Sequence, residues 1–92
     1  MNKMKTFEVD VIQTVRVTLD ESKFTPEFMQ EFREGFYSFE DFHEHAEHIA
    51  QLVARGIVDL SDPDTFIEGY GEARDMGISA KILWTEMMTN VD

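Results

Sequence analysis

The chain reads as an α+β fold: a small antiparallel sheet of two to three strands packed against two helices, in the order β-α-α-(β)-β. Three observations predict it. Residues 6–19 and 78–85 alternate apolar and polar side chains with the period of two that a strand requires. Residues 26–55 repeat their apolar positions every three to four residues, the helical period. Two successive helices reverse the chain twice, so the last strand returns antiparallel to the first.

In the opening strand, Phe7, Val9, Val11, Val15, Val17 and Leu19 share one parity, with Gln13 the polar intruder. Thr6, Glu8, Asp10, Ile12, Thr14, Arg16 and Thr18 share the other, so one face is expected on the core and one in water. Its length exceeds the usual five or six residues, which predicts a bulge near Ile12 and Gln13 or an overhanging end. After a polar turn at Asp20–Lys23, Thr25 offers an N-cap, Pro26 suits the first helical position and Glu27 the positive end of the dipole. Phe24 is placed to staple onto Met29. Phe28, Met29, Phe32 and Phe36 form the apolar stripe, Gly35 beside it favours close approach to the sheet, and the helix ends near Tyr37.

Ser38, with Asp41 three residues on, predicts the cap of a second helix that runs to Arg55 and stops at Gly56. Phe42, Ala46, Ile49 and Val53 mark its buried face; Glu40, Glu44, Glu47 and Gln51 lie opposite. Ile57–Asp64 is a loop broken at Asp62-Pro63-Asp64. Phe66 and Ile67 then open either a short helix or an edge strand, kept short by Gly69, Gly71 and Gly77. Ile78, Ala80, Ile82 and Trp84 alternate with Ser79, Lys81, Leu83 and Thr85 as the last strand, and the tail Met87–Asp92 is expected to fray. Two strands alone are marginal, so either the Phe66 segment adds a third or a second chain extends the sheet. Residues 1–92 make one domain.

The 19 acids against 8 bases give a net charge of −11. Between Glu40 and Asp75 ten acids face only Arg55 and Arg74. Such a field repels nucleic acid and anionic membrane and attracts basic surfaces. The 42% apolar content, with eight Phe, excludes a disordered acidic tail. Without Cys there is neither disulfide nor thiolate metal site. No secretory h-region follows Lys3 and Lys5, and no run approaches the roughly 20 apolar residues that span a bilayer, so a cytoplasmic location is expected.

His43-Glu44-His45-Ala46-Glu47-His48 superficially resembles a metalloprotease helix, but such a helix needs two histidines four apart on one face. Here the residue four after His43 is Glu47 and the one four before His48 is Glu44, so His43 and His48 each pair with an acid. His45 with His48, joined by Asp41, is at most a weak surface site. The serines stand in no nucleophile elbow, and Gly69–Gly77 matches no phosphate-loop spacing. No catalytic residue, metal or cofactor is therefore expected. Tyr70, flanked by glycines, reads as an exposed partner anchor, and Ile12 with Leu83 as an apolar patch on the outer sheet face. The partner-binding set is Glu40, Asp41, Glu44, Glu47, Asp59, Asp62, Asp64, Glu68, Tyr70, Glu72 and Asp75.

The Met4-Lys5-Thr6-Phe7-Glu8-Val9-Asp10-Val11 opening strand, the Phe24-Thr25-Pro26-Glu27-Phe28 helix start and the acidic second helix resemble those of small acidic proteins carried by phages and other mobile elements, anti-CRISPR proteins among them. The resemblance implies binding to a CRISPR effector complex or similar nucleic-acid-handling machine in a bacterial host, the acids occupying a basic channel meant for DNA or guide RNA. The expected function is that of a non-enzymatic acidic binding protein that occludes such a surface and binds neither nucleic acid nor membrane itself. The alternatives are a structural or regulatory homodimer, paired through the first strand or the Ile12/Leu83 patch, and a metal- or ligand-binding module at His45 and His48.

Overall fold

The computed structural model describes residues 3–90 and has the α+β fold. Its elements in order are β1 (Glu8–Thr18), a 3-10 turn (Glu21–Lys23), α1 (Pro26–Gly35), α2 (Phe42–Ala54), β2 (Phe66–Ile67), β3 (Gly71–Glu72), α3 (Ala73–Met76) and β4 (Ser79–Asn90).

Both long helices start where a side chain satisfies the free backbone N–H groups of their first turn. Thr25 Oγ1 accepts from the Phe28 N–H at 3.1 Å, with Pro26 at the first helical position. Phe24 then packs edge-on against Phe28, with ring centroids 5.2 Å apart. The cap of α2 is Asp41, not Ser38. The Glu44 carboxylate reaches back to the N–H groups of Asp41 and Glu40, both at 3.2 Å. A Glu three residues after the cap makes that reach; the Asp41 side chain, one methylene shorter, does not do it for Ser38. Gly56, at φ 71°, ends the helix in the left-handed region.

β1 and β4 pair antiparallel from Glu8↔Asn90 to Thr18↔Ser79. The one irregularity lies at Thr14↔Trp84 and Val15↔Ile82, which leaves Leu83 as the extra residue. The bulge is thus two residues beyond the expected Ile12–Gln13, and in the partner strand. It flips the parity of β4: Ile82 shares a face with Val15, whereas Trp84 joins Thr14 and Ile12 on the opposite one. The expected Ile12/Leu83 patch is replaced by Ile12 and Trp84, both more than half exposed, while Leu83 is half-buried. Met87–Thr89 belong to β4 instead of a frayed tail, because β1 is long enough to pair with them; Val91 and Asp92 lie outside the described residues.

The Phe66 segment adds no third strand to this ribbon. It pairs with Gly71–Glu72 as a separate two-residue hairpin. Gly69 at its turn has φ 91°, and a Cβ there would sit 2.7 Å from the Phe32 ring. The close approach expected of Gly35 occurs at Gly69; a Cβ at Gly35 would meet nothing within 4 Å.

Phe24, Phe32, Ile49, Ile67, Tyr70, Ala73 and Ile78 form the buried core around His45. From β1 and the residue after it, Val17 and Leu19 pack on that cluster. The strand was expected to be half-buried along its length. Instead Phe7, Val9 and Val11 are 66%, 46% and 56% exposed, because the helices cover only the inner end of the ribbon. The rest projects as an arm. The molecule measures 61 × 26 × 21 Å, and its radius of gyration is 17.2 Å. A compact chain of this length has about 12 Å.

Candidate functional site

The nominated acids divide by what holds them. Glu44 is spent on the α2 cap and is half-buried, so it does not project beside Glu40 and Glu47. Glu47 meets His43 at 3.5 Å on the exposed helix face. Asp59 and Asp62 each accept from a backbone N–H two residues on, Ser61 at 3.0 Å and Asp64 at 2.9 Å, which fixes both carboxylates in turns. The Asp59 carboxyl is held below its ordinary pKa by the Ser61 hydrogen bonds. Asp64 pairs with Arg74 at 2.8 Å. Glu40, Asp41, Glu68, Glu72 and Asp75 are exposed, Asp41 at the α2 cap and Glu72 just before α3.

Tyr70 is the clear correction. It is 6% exposed, so it is no surface anchor. Its hydroxyl lies 2.8 Å from His45 Nδ1, and His45 is fully buried. The imidazole stands edge-on to Phe32 at 4.7 Å and to Phe39 at 5.1 Å, with Phe24 at 5.3 Å. Burial, helped by neighbouring His48 and Arg33 and opposed by Glu44, holds its pKa below the ordinary histidine value. Burial also pushes the Tyr70 phenol well above its usual range, so both groups are neutral at pH 7. Nε2 has no hydrogen-bond partner among the described residues. A surface metal site at His45 and His48 is therefore not formed, because one of its ligands is sealed inside. Sequence spacing carried the signal: His45 follows Phe42 by three and precedes Ile49 by four, in the middle of the apolar stripe.

Among the described residues no three His, Asp or Glu side chains converge to hold a metal ion. A shallow cavity of about 320 Å³ opens between the end of α1, His48 and Leu52 of α2, and the Ile67–Glu68 turn. It brings the His48 imidazole, the Glu68 carboxylate and the Tyr37 phenol together among apolar side chains, and its lining includes no Ser, Thr or Lys. No described helix is long and apolar enough to cross a membrane.

The arm goes beyond the overhanging end that the length of the first strand suggested, because β4 pairs with β1 along it. Facing pairs in the register share a side. One side carries Val9/Thr89, Val11/Met87 and Gln13/Thr85, and beyond the bulge Val15/Ile82 and Val17/Ala80. The other carries Asp10/Met88, Ile12/Glu86 and Thr14/Trp84. The first side is the core face: it is packed at Val17 and bare at Val11, and Met87 is 68% exposed. No protein-family model, curated protein or solved structure matches the chain.

Proposed function

We propose that this chain is a non-enzymatic acidic binding protein whose body docks on, and covers, a basic surface of a protein that handles nucleic acid. The observation that carries the reading is the partition of charge along the fold. Between residues 15 and 83 there are fifteen acids and six bases, whereas residues 1–14 and 84–92 hold Glu8, Asp10, Glu86 and Asp92 against Lys3 and Lys5. The negative field therefore belongs to the helical body and leaves the arm nearly neutral. Turn-fixed carboxylates at Asp59 and Asp62 favour this use, since they lose little freedom on docking. Such a field speeds association and makes it sensitive to salt. The likeness to small acidic proteins of mobile elements makes a guide-loaded CRISPR effector the partner to try first.

The test is competition. A labelled target duplex is bound to a purified effector, and the protein is added at about 50 mM and about 300 mM salt, spanning a marked change in Debye length. Displacement is expected at the lower salt and weakened at the higher. Glu47→Lys, Glu68→Lys and Asp75→Lys together should weaken it at least about tenfold, as an electrostatic contact of a few charges would. These three avoid Glu44, whose loss would disturb α2. Displacement by the reversed variant equal to that of the native chain would overturn the reading.

A further inference from the structure

The bare core-facing side of the arm has no cover among the described residues, and three features point to the same occupant. The first is continuity. The side packed on the core at Val17 continues without change of parity through Val15 to Val11 and Val9, with Ile82 and Met87 facing it from β4. A two-stranded ribbon is marginal in water without a packed face. The second is area. Phe7, Val9, Val11, Ile82 and Met87 are each between 42% and 68% exposed, and together they offer on the order of 500 Å² of apolar surface, more than half of what one partner gives a standard interface. The third is charge. The arm is nearly neutral, its outer end is preceded by Lys3 and Lys5, and the body at its inner end is strongly acidic.

We propose that the core-facing side of the β1–β4 arm is the contact between two copies of this chain, the arms lying antiparallel with these sides together. In that arrangement each lysine-bearing tip meets the acidic body of the other copy, and the two bodies are held at opposite ends, well beyond a Debye length of about 8 Å. A parallel arrangement sets body against body and tip against tip. Any partner more basic than the arm is drawn first to the body. The second copy is thus the occupant that both the shape and the charge fit.

The experiment is sedimentation equilibrium of the full chain and three variants, with circular dichroism to confirm folding. The native chain is expected at twice its monomer mass at about 100 μM. Val11→Asp weakens association at least tenfold, and so does Met87→Asp on the facing strand; Ile12→Asp, on the other side of the ribbon, does not. All three positions are more than half exposed, so the fold tolerates the change. A native chain that stays monomeric overturns the proposal, as does equal weakening by Ile12→Asp and Val11→Asp. None of these positions bears a body acid, so this result is separate from the competition test above.

Discussion

At the residue scale, His45 and Tyr70 couple the core to pH. In the unfolded chain the imidazole titrates near 6.5. Burial holds the folded value lower, so between the two the unfolded chain takes a proton that the native chain refuses. This contribution is constant well above pH 6.5 and falls as the pH drops through it. His48, lowered for the same reason, acts in the same direction. Asp20 and Asp59, whose folded values are depressed, lose their contribution only as the pH falls below about 4. Thermal melts should therefore show a falling midpoint between pH 6.5 and 5, ahead of carboxylate titration. Replacing the pair together, His45→Leu with Tyr70→Phe, should flatten that slope and leave only the part due to His48. Tyr70→Phe alone strips the imidazole of its one partner and should cost about 1–3 kcal/mol at pH 7. A Tyr70→Phe chain as stable as the native one in urea would show that the bond contributes nothing.

At the scale of elements, the cap of α2 offers a sharp contrast. Glu44→Ala removes the acceptor for two backbone N–H groups and should cost about 1 kcal/mol, read as a lower urea midpoint with unchanged slope. Glu40→Ala removes an exposed carboxylate and should change little; equal losses would contradict the cap. The same contrast shows what was legible beforehand. Thr25 and Pro26 fix the start of α1 because cap and first residue are adjacent, leaving no competing register. The start of α2 was placed three residues early, at Ser38, because Ser38 and Asp41 both have an acid three residues on, and the longer Glu44 is the one that reaches back. His45 was allowed at most a weak surface site, although its spacing from Phe42 and Ile49 placed it in the core. The bulge at Leu83 was not legible, since one extra residue alters parity without altering composition. Yet the arm had a readable cause. Thirteen residues of α2 span about 20 Å, whereas eleven residues of β1 span about 37 Å, so the helix cannot cover the strand.

At the scale of the whole molecule, two kinds of surface are kept apart. The body concentrates carboxylates, held in place by turns at Asp59 and Asp62 and by Arg74 at Asp64. The arm concentrates apolar side chains with little net charge. A chain of net charge −11 associates with itself most readily through its least charged part, and meets a basic partner through its most charged part. Pairing by the arms, as proposed, sets a lysine-bearing tip beside each body and holds the two bodies at opposite ends, which yields a bivalent acidic particle whose avidity exceeds that of one body wherever two basic sites lie within reach. Hydrogen exchange of the native chain at about 1 μM and about 200 μM tests the central claim most directly, because a packed ribbon opens less often than a bare one. The amides of residues 8–13 and 86–89 should exchange at least tenfold more slowly at the higher concentration, while those of α2 keep one rate. Arm amides that exchange equally fast at both concentrations would contradict it.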